Sequence, residues 1–366
     1  MEWTKPAYSG TRRTRAGIAL SRGIATDEDL SVIDNWRSSH ALPLQTIKMM
    51  LKGRALSVDD TAVVAQRLKR LPSIRAKLNR ETMRLQQMQD LGGCRAILTN
   101  LSAVTRLATK FTESFEKNPK RADLRRHNLI DTKDYIKDPK ADGYRSIHYV
   151  LEYQTNTEHL KCFEGHLIEV QIRTRLQHSW ATAVEIVDTF TGQSLKSALR
   201  TNVGDPHWRR LFALTSAAFA GLEGGPPVPG VPTSINELQS ELRKLVAKTK
   251  VDSVLSSLNT AVYEIGKNPA RAAAYVLRLN ARERNVTVWS FSREDLAQLR
   301  LFEEEKTSGS DPAIQVVQVS VEKMQALRTA YPNYYLDTSM FIQSLRRAAA
   351  RGDAYKKAAA SISRRG

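Results

Sequence analysis

Residues 166–185 read HLIEVQIRTRLQHSWATAVE, and the first half of the stretch alternates between apolar and polar side chains. On a strand of period two, Ile168, Val170 and Ile172 share one face while Glu169, Gln171 and Arg173 share the other. Such a strand is expected to back onto a core and to line a cleft with its front, although a solvent-exposed front fits the same pattern. CRAIL (94–98) and SIHYVLEY (146–153) read as two further strands, separated by a helical run from about 101 to 117. Upstream, DEDLSVIDNWRSSHALPLQTIKMM (27–50) has apolar residues at helical spacing broken by Pro43, and residues 57–71 are expected to form another helix capped by Ser57. Strands and helices in mixed order predict an α/β (α+β) mixed sheet flanked by helices.

Three stretches next to these strands carry groups suited to phosphate chemistry. In RLKRLPSIRAKL (67–78), Arg67, Lys69 and Lys77 surround Ser73-Ile74. Cations at the start of a helix suit a polyphosphate, because charge-assisted hydrogen bonds and the helix N-terminus act together; a solvated basic helix face reads the same way. In MQDLGGCRAIL (88–98), Asp90 precedes a glycine pair and Arg95 enters a strand. A carboxylate there can hold Mg²⁺ against a nucleotide, or simply cap a turn. In DYIKDPKADGYRSIHYVLEY (134–153), Tyr144 sits beside Gly143 and two cations, Lys140 and Arg145. That arrangement suits stacking on a base while its phosphates are held, and a plain hairpin with a core tyrosine is the competing reading.

The net charge of +18 argues for a polyanionic partner, nucleic acid first. The excess is uneven, since residues 65–126 carry 15 Lys and Arg against 5 Asp and Glu, and this cluster overlaps the phosphate-binding candidates. The PKRADLRRH run (119–127) supplies Lys120, Arg121, Arg125 and Arg126, cations that suit a long phosphate backbone, although an ordinary solvated basic helix reads the same way. No apolar run approaches the roughly 20 residues needed to cross a bilayer, and the N-terminus lacks the order of a secretory signal, so the expected location is the cytoplasm with no membrane partner. Two cysteines, Cys94 and Cys162, cannot build a four-thiolate zinc site or a disulfide framework.

The glycine- and proline-dense segment GLEGGPPVPGVPTS (221–234) marks a boundary. Beyond it come about 30 residues of helix periodicity, then a small α+β pattern. VTVWSF (286–291) and AIQVVQVS (313–320) read as strands, SREDLAQLRLFEEEK (292–306) as a helix capped by Ser292, and DTSMFIQSLRRAAA (337–350) as a helix capped by Asp337 or Thr338. YPNYYLDT (331–338) packs three tyrosines onto a Pro-Asn turn.

Taken together, R-x-K-x-x-x-S-I, D-x-x-G-x-R, the GYRSIH loop-strand and EVQIRT resemble the RelA/SpoT-type synthetase domain of the alarmone synthetases over about residues 30–200. The resemblance implies a nucleotidyltransferase-like mixed sheet and transfer of pyrophosphate from ATP to a ribose 3′-hydroxyl. At matched positions it implies ATP binding by Arg67, Lys69, Lys77 and Arg95, and Mg²⁺ at Asp90 and Glu169. Glu169 would serve as metal ligand or as base. It also implies an acceptor site in which Tyr144 stacks on the base, with Lys140, Arg145, His148, Gln171 and Arg173 around it. Asp142 stands where asparagine is usual and Ile186 where histidine is frequent, which bears on acceptor choice more than on catalysis. None of the seven histidines is followed by Asp, so the hydrolase signature of long family members is absent from this sequence.

A short synthetase followed by helices and a small zinc-finger-like domain lacking its cysteines, with a Tyr-x-x-Tyr pair, is similar to the CapRel-type fused toxin-antitoxins. That similarity implies three parts: a synthetase (toxin) at 1–225, a helical linker at 226–280 and a pseudo-zinc-finger antitoxin at 281–366. It further implies the tRNA CCA end as acceptor, occlusion of the ATP site by Tyr331 and Tyr334, no zinc, and a phage protein, typically major capsid protein, as the releasing partner. The nearest alternative acceptor is GDP, GTP or an adenine nucleotide.

Overall fold

The computed structural model describes residues 3–113, 115, 127–191, 206–249, 251, 255, 274–280, 285–309, 314–319 and 339–350. Three helices lead in: α1 (Gly10–Arg22), α2 (Asp27–Ser38) and α3 (Ala41–Leu56). Local chemistry sets their ends. Ser9 accepts from the Arg12 amide and Gly23 closes α1 at φ 74, a left-handed conformation that glycine adopts freely. Thr26 and Asp29 form a capping box on α2, whose first turn carries three acidic residues against the helix dipole.

The central sheet has strand order β1-β2-β5-β4-β3, built from β1 (Val63–Leu68), β2 (Gly92–Leu98), β3 (Asn128–Asp134), β4 (Ile147–Glu152) and β5 (Leu167–Thr174). Only β2 and β5 run parallel; β1 with β2, β5 with β4 and β4 with β3 are antiparallel. This is the mixed α/β sheet flanked by helices that the sequence predicts. Its back is sealed by α3 and by α5 (Leu101–Glu113) through Ile47, Leu51, Cys94, Leu107, Phe111, Tyr149, Ile168, Val170 and Ile172. Full burial of Ile168, Val170 and Ile172 contributes at most about 1.5–3 kcal/mol each.

The expected helix at 57–71 is not there. Ser57 ends α3, Asp59 organises a turn by accepting from the Thr61 and Thr99 amides, and Val63–Leu68 become an edge strand. That strand's hydrogen bonds come from β2, with Val63 opposite Ile97 and Leu68 opposite Gly92, so tertiary pairing overrides the local helical pattern. A short helix follows, α4 (Leu71–Arg80), pinned by fully buried Ile74.

Over the far end of the sheet's front lie α6 (Arg175–Thr191), α7 (Pro206–Glu223) and α8 (Ile235–Thr249). Arg210 of α7 holds Glu241 of α8 bidentately at 2.7 and 2.8 Å. The segment 221–234 does contain the end of a helix, at Glu223, and a left-handed Gly224. The later described elements are β6 (Ala274–Asn280), β7 (Asn285–Phe291), α9 (Glu294–Ser308), β8 (Ile314–Val319) and α10 (Ser339–Ala349). The three strands form a second sheet of order β7-β6-β8. Arg293, not Ser292, precedes α9, and no side chain caps it. Asp337 and Thr338 lie outside the described residues.

Both ends of this later part touch the first. Glu305 of α9 accepts from both terminal nitrogens of Arg37 on α2, at 3.0 and 3.3 Å, with Arg37 1% exposed. On α10, fully buried Phe341 lies 5.9 Å from Phe212 and 5.7 Å from Phe219 of α7. Helices α6, α7, α8 and α10 therefore share one core, which also contains Trp180, Leu222 and Leu242.

Candidate functional site

Registration across the sheet puts the polar side chains of the front in two rows. Ala65, Arg95, Gln171 and His148 pair in one row, and Arg67, Gly93 and Glu169 in the next. Paired residues point to the same side, so Arg67, Arg95, His148, Glu169 and Gln171 share the face opposite the Ile168–Ile172 core. A Cβ added at Gly93 would have only the Glu169 carbonyl oxygen within 4 Å, at 3.8 Å, so the glycine keeps open the space between the Arg67 and Glu169 positions.

At the entrance of β2, Asp90 is gripped from two directions. Lys69 Nζ donates to Oδ2 at 2.7 Å and Lys77 Nζ to Oδ1 at 3.1 Å. Lys69 directly follows β1 and its amide donates to the Leu91 carbonyl at 2.8 Å. Lys77 comes from the last turn of α4, not from the helix start that the sequence suggests. Burial pushes the Asp90 carboxyl up, and the two ammonium groups more than reverse this, holding it below its ordinary range.

Glu169 sits at the centre of a hydrogen-bonded chain. Tyr144 Oη lies 2.8 Å from His148 Nε2, and His148 Nδ1 lies 2.9 Å from Glu169 Oε1. Gln171 Nε2 donates to Glu169 Oε2 at 2.7 Å. Burial raises the Glu169 carboxyl and the nearby Asp90 charge adds to that, but the His148 and Gln171 bonds leave it below its ordinary range. In the tautomer with its proton on Nδ1, His148 donates to the ionised Glu169 and accepts from the tyrosine hydroxyl at Nε2. Burial pushes the Tyr144 phenol up, so that hydroxyl stays protonated as a donor.

The loop carrying Tyr144 is held from behind. Gly143 has φ +92, and Ser216 Oγ of α7 donates to its carbonyl at 2.6 Å. Lys140 Nζ stands 4.1 Å from the Tyr135 ring centroid and 5.6 Å from that of Tyr144, while Tyr135 packs edge-on against both Tyr144 and His148. Tyr135 is a site residue that sequence reading passed over, although it lies in the quoted DYIK; its signal was an aromatic one strand-end away from the glycine loop.

The structure thus brings together Arg67, Lys69, Lys77, Asp90, Arg95, Lys140, Tyr144, His148, Glu169 and Gln171 on one side of the sheet. It does not bring Arg145 or the Arg173 side chain into the open part. Arg145 is 3% exposed and packs beneath Gly225 at the opposite end, in the field of Glu223, which itself accepts from Thr174 and Gln177. Arg173, 4% exposed, donates to His178 Nδ1 of α6. Lys120, Arg121, Arg125, Arg126, Tyr331 and Tyr334 lie outside the described residues.

No three His, Cys, Asp or Glu side chains converge among the described residues. The donors present, two carboxylates beside several cations, fit magnesium carried with a polyphosphate, since that ion takes one or two carboxylates and fills its octahedron with phosphate and water. No described helix is long and apolar enough to cross a membrane.

Residues 66–187 match the family described as a region found in RelA / SpoT proteins, and this span holds every residue of the assembled site. An uncharacterized protein of Mycobacterium tuberculosis is 28% identical over 196 residues, 53% of this chain and 63% of that protein. GTP pyrophosphokinase YjbM of Bacillus subtilis is 32% identical over 150 residues, 38% of this chain and 64% of that protein. The chain therefore spans a little under two thirds of the length of these relatives. Among solved structures, a GTP pyrophosphokinase family protein from Streptococcus pneumoniae is 23% identical, with 54% of this chain and 91% of that chain covered and a TM-score of 0.40. Small alarmone synthetase 1 from Bacillus subtilis, bound to its product pppGpp, is 28% identical, with 41% and 76% covered and a TM-score of 0.33.

Proposed function

We propose that the chain is an ATP-dependent pyrophosphokinase whose acceptor is the 3′-hydroxyl of the tRNA CCA end, restrained by its own carboxy-terminal part and released by a phage structural protein such as the major capsid protein. The observation that carries the enzymatic reading is the single sheet face on which Arg67, Arg95, His148, Glu169 and Gln171 stand in register beside Asp90 and its two lysines. The RelA/SpoT match over the same residues and the naming of a relative as a GTP pyrophosphokinase support it.

In this reading Arg67, Lys69, Lys77 and Arg95 bind and orient the ATP phosphates, and Tyr144, steadied by Tyr135 and Lys140, stacks on the terminal base of the acceptor. Glu169, held by His148 and Gln171, accepts the proton of the 3′-hydroxyl as its oxygen attacks the β-phosphorus. The bond from that phosphorus to the oxygen bridging to the α-phosphate breaks, and AMP leaves. Mg²⁺ at Asp90 and Glu169 would neutralise charge on the transferring phosphates. Positioning and charge neutralisation make up most of such catalysis, which is what this set of side chains can supply.

Three features favour a tRNA acceptor and restraint in cis. The net charge of +18 suits a long phosphate backbone. Glu305 of α9 anchors to Arg37, and β8 runs close to β1, the strand of Arg67. The resemblance of the tail sequence to the CapRel type implies that Tyr331 and Tyr334 would occlude the ATP site. A second reading, transfer to GDP or GTP, is favoured by the name of the Bacillus relative. Incubating the full chain and its Tyr331→Ala/Tyr334→Ala variant with γ-labelled ATP, deacylated tRNA and guanosine nucleotides separates the two. We expect labelled tRNA, and more of it from the variant; label in nucleotide alone would refute the tRNA acceptor.

A further inference from the structure

We propose that the triphosphate itself opens the metal position: Lys69 and Lys77 shut Asp90 to cations in the free protein, then transfer to the phosphates of an arriving nucleotide and release the carboxylate to a divalent ion. The inference rests on the nucleotide reading above and concerns the order in which that site fills.

Each Asp90 oxygen already has an ammonium group on it, at 2.7 and 3.1 Å, so one negative charge faces two positive ones. A divalent cation arriving alone would meet an ammonium group on each Asp90 oxygen and would have to displace both. At about 4 Å, each unit repulsion costs from ~1 kcal/mol in bulk water to ~4 kcal/mol near a protein surface. Arg67 adds to the positive field felt by Lys69. Glu81 Oε2, 4.0 Å from Lys77 Nζ, and the Glu169 carboxylate, which feels the Asp90 charge, offset part of this field, but neither takes an ammonium group off Asp90.

The clamp is built to let go. Lys69, Lys77 and Asp90 side chains are 21%, 17% and 21% exposed, so a ligand can reach them from the cleft. The two lysines come from different parts of the chain, Lys69 from the residue just after β1 and Lys77 from α4. Their four-carbon stems can pivot while the backbone stays fixed by the Lys69 amide bond to Leu91 and by buried Ile74. A triphosphate presents several charged oxygens to two ammonium groups that now share one carboxylate, and charge-assisted bonds to phosphate are strong. Glu169 is held differently, by His148 and Gln171, and needs no such exchange to face the same space. The consequence is that Mg²⁺ enters with or after nucleotide and the protein alone does not store it.

The test uses the full chain and Mn²⁺ as the probe, following loss of the free aquo-ion EPR signal without nucleotide. Wild type is expected to take up no Mn²⁺ at Asp90, and the Lys69→Gln/Lys77→Gln variant to take up one ion, with affinity gained roughly tenfold per lysine removed, between the two electrostatic limits above. Adding Asp90→Asn should abolish that uptake, with circular dichroism showing all three proteins folded. Wild type binding Mn²⁺ as tightly as the double-lysine variant would overturn the gating and leave the nucleotide site untouched. Calorimetry with ATP in EDTA supplies the other arm: wild type should bind and the double-lysine variant should bind far more weakly. No binding of ATP to wild type would overturn the nucleotide reading, and this inference with it.

Discussion

Gly143→Ala is the sharpest test of how the Tyr144 loop is held. The native φ of +92 disfavours any side chain, at about 1–2 kcal/mol for an L-residue forced into the left-handed region. The new Cβ would also lie 2.8 Å from Ser216 Cβ, 3.1 Å from Trp180 Cζ2 and 3.3 Å from the Phe212 carbonyl oxygen. Ser216 and Trp180 are buried, and overpacking of that kind costs about 1–3 kcal/mol. The sum, about 2–5 kcal/mol, is a large share of the 5–15 kcal/mol stability typical of a domain. The loop can shed part of the cost by moving away from α7. It then gives up the Ser216 bond to the Gly143 carbonyl and carries Tyr144 off His148. Urea unfolding should show the midpoint falling with an unchanged slope, and acceptor KM should rise much more than ATP KM. Ser216→Gly added to Gly143→Ala removes the closest contact and should recover part of the stability. A loss below about 1 kcal/mol with acceptor KM unchanged would refute the idea that α7 positions this loop.

Three further outcomes follow from the same geometry. Tyr144→Phe keeps the ring but deletes the hydroxyl bonded to His148, so turnover should fall by roughly tenfold, about 1.4 kcal/mol, with acceptor KM little changed; an equal rise in KM would mean the hydroxyl serves binding. Glu305→Ala leaves the buried Arg37 guanidinium with Asp34 at 3.5 Å as its remaining ion-pair partner among those described, and should destabilise by about 3–5 kcal/mol. Protease sensitivity near α9 with the central sheet intact is the expected readout, and unchanged cleavage would count against this anchor. His166 is buried against Trp36 and His40 with Arg13 nearby, and burial holds its imidazole down to about 4. Above pH 6.5 it is neutral in both folded and unfolded chains. Between 6.5 and 4 only the unfolded chain gains the proton, so stability should drop by about 1.4 kcal/mol per pH unit from this group. His40, also held down by burial, adds to the drop, and a urea midpoint flat from pH 7 to 5 would refute it.

Much of this was readable along the chain. The alternation in EVQIRT makes a strand with a polar front inescapable once the branched aliphatics must be buried, and β5 is that strand. The glycine before Tyr144 is needed because only a residue without a Cβ fits between Ser216 and Trp180 at a positive φ. Cap chemistry at Ser9, Thr26 and Asp29 is equally local. The β1 strand was hidden because its hydrogen bonds belong to β2, whereas its own residues match helix periodicity nearly as well. The strands NLIDTKD and AYVLRLN went unread for the same reason, being completed by neighbours distant in sequence.

Side-chain destinations were the other matter that tertiary structure alone decided. Arg145 follows Tyr144 directly, yet it points to the far end of the sheet because the end of α7 brings Glu223 and Gly225 there. Arg173 alternates in phase with Glu169 but is captured by His178 at the first turn of α6. Asp90 is a short turn away from its glycines in sequence, and nothing local says that two lysines from separate elements will close on it. Sequence thus determined which residue types are candidates for the chemistry and, for β5, which strand face they occupy, because alternation is a local constraint. Which of those charges stand free and which are neutralised depended on distant elements packing together, because a charge takes its partner from whatever the fold brings within about 4 Å.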